Sequence, residues 1–122
     1  MSTEYDSLTT ANLAGRLMIW QEASGGTWAA IVESVRLTKS DDKPHYLMIN
    51  GRKWFRLRVS GWEHEPAGQK SIGSSISGGF AKCELIPNIG HRVVITYIGE
   101  ATIYEPEAAA TNGYQSLIEI LQ

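Results

Sequence analysis

The sequence is poor in cysteine, in long apolar runs and in net charge, and each shortage excludes a class of protein. Cys83 is the single cysteine, so the chain can form no intramolecular disulfide and offers no thiol pair to a zinc ion. Purely apolar runs, such as residues 93–95, are far shorter than the ~20 residues of a transmembrane helix. The formal net charge of −2 argues against a protein that binds nucleic acid by overall basicity.

Signatures of catalysis and of metal binding are also missing. His45, His64 and His91 fall on separate predicted elements, and no H-E-x-x-H or C-x-x-C spacing occurs. Residues 68–71 match part of a phosphate-binding loop but lack its earlier glycine, its preceding strand and its following helix. We therefore expect a protein that is not an enzyme and that needs neither a metal nor a cofactor. Cys83 is expected to be a small buried hydrophobe.

The length and the amino-terminal composition set the expected organisation. With 122 residues, 43% of them hydrophobic, the chain fits one domain with a real core. Residues 1–14 show weak periodicity and are predicted to be a flexible arm, which leaves residues 15–122 as a single domain. The first seven residues are polar and acidic, without the basic and apolar regions of a secretory signal, so we expect a cytoplasmic location.

From residue 15 onwards the patterning is mainly that of β-strands. Residues 16–20 predict a short strand, and residues 27–39 predict a long one whose alternation changes phase, which indicates a bulge near Glu33 and Ser34. Residues 45–49 predict another strand. It meets Asn50-Gly51, a strong hairpin signal, so residues 52–59 are predicted to be the return strand.

The second half of the chain contains the predicted loop and helix. Residues 66–79, rich in glycine and serine, are predicted to form a long surface loop that is disordered in the free protein. Residues 80–86 predict the one helix, and residues 91–98, 100–104 and 114–121 predict strands. The sum is an all-β domain, a small barrel of five or six strands with one short helix before the penultimate strand. This order favours an OB-fold-like barrel, while an SH3-like barrel or a compact sandwich would give similar signals.

Positive charge is concentrated in the middle of the sequence. The last stretch, residues 100–122, carries four glutamates and no basic residue. Such segregation favours an anionic partner for the middle. Seven of the eleven lysines and arginines lie there: Arg36, Lys39, Lys43, Arg52, Lys53, Arg56 and Arg58.

The predicted return strand has two chemically different faces. Side chains alternate across a strand, so one face carries Phe55, Leu57 and Val59, and the other carries three arginines and a tryptophan. Guanidinium groups bind phosphates and an indole stacks on bases. Equally, such a face could be a solvated one whose arginines prevent edge aggregation while the tryptophan covers a neighbour. The members of this predicted stripe are Arg52, Trp54, Arg56 and Arg58.

Two segments near the end of the chain carry a family resemblance. Residues 89–100 contain a glycine, an alternating strand, and then an aromatic, an aliphatic and another glycine; residues 114–120 follow as a second apolar segment. Together they resemble the final two strands of small OB-fold single-stranded-DNA-binding proteins of phages and mobile elements. The resemblance implies an OB barrel, binding of single-stranded DNA and a homodimer.

The leading hypothesis is therefore binding of single-stranded DNA or RNA with little sequence preference. The alternative is a protein-interaction module, such as a phage-encoded inhibitor or assembly factor, that uses the same tryptophan and arginine face. Sugar sites use the same stacking chemistry, and the arginines favour phosphate. The predicted site has the stripe Arg52, Trp54, Arg56 and Arg58 at its centre, Arg36, Lys39 and Lys43 as a basic flank, Tyr46 as an extension of the platform, and Trp62 and Lys70 as a mobile cover.

Overall fold

The computed structural model describes residues 8–22, 25–38, 46–66, 75–96 and 98–121, and in them the protein is mainly β. The strands are β1 (Leu17–Glu22), β2 (Thr27–Thr38), β3 (Tyr46–Arg58), β4 (Gly61–His64), β5 (Ser75–Ile86), β6 (Gly90–Ile95) and β7 (Gly99–Tyr104). The helices in these ranges are α1 (Thr10–Leu13), α2 (Pro106–Thr111) and α3 (Gln115–Leu121).

All seven strands belong to one antiparallel sheet with the order β2-β1-β7-β6-β5-β3-β4. β2 also pairs with β3, so the path of pairings returns to its first strand. β2 pairs with one edge of β3. On the other edge of β3, the first half pairs with β5 and the second half pairs with β4. The long strands therefore bend around the core and present different stretches of outer surface.

Two apolar clusters lie on opposite sides of the sheet. The inner cluster lies on one side of the sheet and includes Trp28, Trp54 and the predicted buried Cys83. The outer cluster covers β1, β2 and the second half of β3, where the carboxyl-terminal helix packs through Leu117 and Leu121. Among the described residues, that helix covers only part of the outer surface.

The all-β prediction is confirmed, but two of its segments have the other secondary structure. Residues 80–86, predicted as a helix, are the second half of β5 and pair with β6. Residues 114–121, predicted as a strand, contain α3, in which Leu117 and Leu121 are spaced by one helical turn. Part of the predicted loop 66–79 is also a strand, because β5 begins at Ser75; residues 67–74 lie outside the described residues.

The predicted hairpin turn at Asn50-Gly51 is wrong, because both residues lie inside β3. A Cβ on Gly51 would lie 2.9 Å from the Ala30 Cβ and 3.1 Å from the Trp54 ring, so the glycine permits close packing. Asn50 donates a hydrogen bond from Nδ2 to the Ser34 hydroxyl across the strand pair, at 2.8 Å. The actual hairpin joins β3 to β4 through residues 59–60.

Residues 8–14, the second half of the predicted arm, pack against the sheet. Leu8 and Leu13 are buried in the inner cluster. The Thr10 hydroxyl donates to the Val35 carbonyl at 3.0 Å and accepts from the Val35 amide at 2.9 Å. The described part of this segment therefore belongs to the folded domain, and it satisfies backbone groups of β2 beyond the end of its pairing with β1.

Candidate nucleic-acid interface

Two bulges determine which side chains of β2 and β3 face outwards. Glu33 is extra between the pairs Val32–Gly51 and Ser34–Asn50, which confirms the bulge predicted there. A second bulge was not predicted: Ala30 alone opposes both Lys53 and Trp54. Lys53 has φ 55°, the left-handed conformation found at the first position of one bulge type and usually supplied by glycine.

The bulge at Lys53 divides the predicted stripe. Before it, Arg52 is exposed on the outer face. After it, Trp54 points inwards and is only 1% exposed, so the prediction that Trp54 stacks on a base is wrong. Its ring packs edge-on against Trp20, with the ring centroids 6.2 Å apart. The extra residue reverses the alternation that would have kept Arg52 and Trp54 on one face.

The charges of the remaining two stripe arginines have partners within the fold. The Arg56 guanidinium carbon lies 4.9 Å from the centre of the Trp28 ring, a cation–π contact that covers the tryptophan. Arg58 forms a salt bridge with Glu65, and its Nε lies 3.7 Å from a Glu63 carboxylate oxygen. Two carboxylates beside Arg58 make this end of β3 unfavourable for a phosphate.

A different surface collects the predicted residues that remain exposed. Val35, Leu37, Leu47 and Ile49 point into the inner cluster, so the residues that alternate with them face outwards. Cross-strand pairing places eight of these outward residues in rows over β2, β3 and β5, and Arg52 continues the surface along β3, opposite the buried Ile31 of the outer cluster. We call this surface the outer β2–β3–β5 face; its members are Ser34, Arg36, Thr38, Tyr46, Met48, Asn50, Arg52, Ser75 and Ser77.

The outer β2–β3–β5 face is polar, aromatic and positively charged. Tyr46 is 41% exposed, and Arg36 and Arg52 are exposed. None of its nine members is acidic. One charged residue is exposed at each of the two bulges beside the face: Glu33 on β2 and Lys53 on β3. The face therefore offers two guanidinium groups, a phenol ring and several hydroxyls on one continuous surface.

The structure thus brings together three of the ten predicted site residues, namely Arg36, Tyr46 and Arg52. Trp62 is half-buried on β4, at the far end of β3 and opposite Leu57. Lys39, Lys43 and Lys70 lie outside the described residues.

Sequence reasoning did not assign the serines and the asparagine of the face to the site. Ser34 and Asn50 hydrogen bond to each other, while Ser75 and Ser77 lie opposite Asn50 and Met48 on β5. Alternation within residues 46–50 could have indicated the outward position of Asn50. The serines of β5 could not be found in this way, because the glycine- and serine-rich composition of residues 66–79 predicts a loop.

Comparison of the chain with known protein families, with curated protein sequences and with solved structures finds no match. Within the described ranges, no three histidine, cysteine or acidic side chains cluster as metal ligands would. None of the helices described above is long and apolar enough to cross a membrane.

Proposed function

We propose that this protein binds single-stranded DNA or RNA, with little sequence preference, through the outer β2–β3–β5 face. The observation that carries the proposal is the presence of Arg36, Arg52 and the exposed Tyr46 on one face without an acidic member. Arginine suits this role because its planar group binds phosphate oxygens in pairs and also stacks on bases.

The spacing of the two arginines suits a single strand. Arg36 pairs with Met48, which is four residues from Arg52 along β3. At about 3.4 Å per residue and about 4.8 Å between strands, the two backbone positions are roughly 14 Å apart. That distance corresponds to about four stacked nucleotides at 3.4 Å each. One strand could therefore contact both arginines while a base stacks on Tyr46, a contact worth about 1–3 kcal/mol.

The remaining predicted parts of the site belong to the same proposal. Lys39 and Lys43, which lie between β2 and β3 in the sequence and outside the described residues, belong to the proposal as its basic flank. The OB-like assignment of the barrel is supported by the bent β2 and by the returning path of strand pairings. A homodimer stays a prediction, to be checked by light scattering coupled to size-exclusion chromatography.

A salt series with a labelled oligo-dT tests the proposal, with fluorescence anisotropy as the measurement. Two to five phosphate contacts predict a slope of log K against log salt of about −1.4 to −3.5. The double variant Arg36→Ala/Arg52→Ala should weaken binding by about tenfold to 100-fold and make the slope less steep by about 1.4. A matched control is Arg58→Ala/Arg92→Ala, which removes two arginines that form ion pairs elsewhere.

The two possible failures have different meanings. Absence of binding at low salt would refute nucleic-acid binding. An equal loss in both double variants would show that general charge, and not the outer β2–β3–β5 face, carries the affinity. Salt-insensitive binding of a protein through this face would instead support the interaction-module alternative.

A further inference from the structure

A second candidate site lies on another part of the outer surface, beside the outer cluster, which contributes Ile19 to its lining. It is a groove of about 410 Å³, within the usual range for small-molecule sites. We call it the β4–β7 groove, because its lining extends from β4 across β3, β2 and β1 to β7. It is lined by Ile19, Gln21, Thr27, Leu57, Trp62, Glu100, Thr102, Tyr104 and Tyr114.

Strand pairing arranges the groove in rows. Leu57 lies opposite Trp62, and Gln21 lies opposite both Thr27 and Glu100. Ile19, two residues before Gln21 and 9% exposed, lies in the next row and forms an apolar floor. The four gaps between β4 and β7, each about 4.8 Å, give the groove a length of roughly 19 Å. Such a length suits an elongated ligand more than a single compact one.

Aromatic side chains stand at both ends of the groove. Trp62 is half-buried at the β4 end. At the β7 end the Tyr104 and Tyr114 ring centroids are 5.3 Å apart. Burial, together with the neighbouring Tyr114, raises the pKa of Tyr104 to about 12, so its hydroxyl remains a neutral hydrogen-bonding group. Trp62 and the two tyrosines lie at opposite ends of the groove. They are therefore too far apart to surround one small cation as an aromatic cage does.

The polar side chains between these ends are mostly uncharged. Gln21, Thr27 and Thr102 offer amide and hydroxyl groups, each of which both donates and accepts hydrogen bonds. No lysine or arginine is among the nine lining residues, and Glu100 adds a negative charge. The Glu100 carboxylate lies 3.8 Å from the Arg92 Nε, and Arg92 also donates to Glu84 at 2.8 Å. A phosphorylated or acidic ligand would find no free cation in this lining.

From this lining we infer that the β4–β7 groove binds an uncharged oligosaccharide. Sugar rings have apolar C–H faces that pack on aromatic rings, and hydroxyl groups that both donate and accept hydrogen bonds, as the middle of the groove requires. A peptide binding as an added strand would need free backbone groups, whereas β3, β2 and β1 use theirs in pairing with strands on both sides. The groove is separate from the outer β2–β3–β5 face and does not depend on the function proposed for it.

Nuclear magnetic resonance with neutral trisaccharides tests this inference. Chitotriose, cellotriose and maltotriose are titrated separately into the ¹⁵N-labelled protein to tens of millimolar. At least one should shift the indole resonance of Trp62, assigned with Trp62→Phe, and the amide resonances of Gln21 and Thr102. Gln21 is exposed, so Gln21→Ala should preserve the fold and weaken binding by about fivefold, as expected for one lost hydrogen bond.

Tyr46→Ala, on the other face, is the control and should leave saccharide binding unchanged. Absence of these shifts with all three sugars would overturn the inference. It would also be overturned by shifts confined to the outer β2–β3–β5 face, or by a Gln21→Ala variant that binds as tightly as the wild type.

Discussion

Replacement of Trp54 tests the assignment of this residue to the core. Trp54 is 1% exposed within the inner cluster, and its indole nitrogen has no acceptor among the described residues. Trp54→Ala removes the whole ring system and should cost about 3–5 kcal/mol of the free energy of unfolding. A residue whose role was to stack on a ligand from an exposed position would cost far less stability on truncation.

Trp54→Phe separates the contribution of the apolar ring atoms of the indole from the contribution of its N–H group. Phenylalanine lacks roughly three ring atoms, a loss of about 2 kcal/mol at ~0.8 kcal/mol for each buried CH₂-sized group. It also removes a buried donor without a partner, whose burial costs about 1–3 kcal/mol. The two effects nearly cancel, so Trp54→Phe should lie within about 1 kcal/mol of the wild type.

Urea unfolding followed by circular dichroism measures both variants, because its midpoint and slope give the free energy of unfolding. Oligo-dT affinity should be unchanged in Trp54→Phe, since the side chain does not reach the outer β2–β3–β5 face. A phenylalanine variant as unstable as the alanine variant would refute the reasoning about the indole N–H. A folded phenylalanine variant with much weaker oligo-dT binding would refute the placement of Trp54 outside the interface.

Three further predictions concern the backbone and one tyrosine. Lys53→Gly should raise the free energy of unfolding by up to about 1 kcal/mol, because relief of the left-handed strain exceeds the added chain entropy; Arg52→Gly, where φ is negative, should instead lower the urea midpoint. Gly90→Ala should cost about 3 kcal/mol or more, since its Cβ would lie 2.1 Å from the Ile103 carbonyl oxygen; a loss below about 0.5 kcal/mol would contradict this contact. Tyr104, whose pKa is raised to about 12, should stay protonated in an ultraviolet titration after ordinary tyrosines ionise near pH 10. Because only the unfolded state then loses this proton, stability should fall between about pH 10 and 12, and titration of all tyrosines near pH 10 would contradict the raised value.

The bend in β2 could be predicted from the sequence, whereas the bend in β3 could not. The phase change near Glu33 is visible because apolar residues alternate on both sides of it, and the structure has a bulge there. At Lys53 no such signal exists: lysine is an ordinary strand residue in a strongly alternating segment, and its left-handed conformation accompanies the extra residue opposite Ala30. Because of this bulge, three of the four residues of the predicted stripe lie on the side of the sheet opposite Arg52.

The two errors of secondary structure have different causes. In residues 114–121 the apolar side chains recur at Tyr114, Leu117, Ile118 and Leu121, a spacing that is visible in the sequence and is helical, so the prediction of a strand there is wrong. In residues 80–86 the local sequence is compatible with a helix, but the segment forms a strand because it pairs with β6. The first error could have been avoided from periodicity, but the second depended on a distant segment.

The central claim is that single-stranded nucleic acid binds to the outer β2–β3–β5 face. The most direct measurement is a map of amide chemical-shift changes in the ¹⁵N-labelled protein during titration with oligo-dT at low salt. We expect changes centred on Arg36, Tyr46 and Arg52, with β6 and β7 largely unaffected. No change at any described residue, or changes confined to the β4–β7 groove, would contradict it.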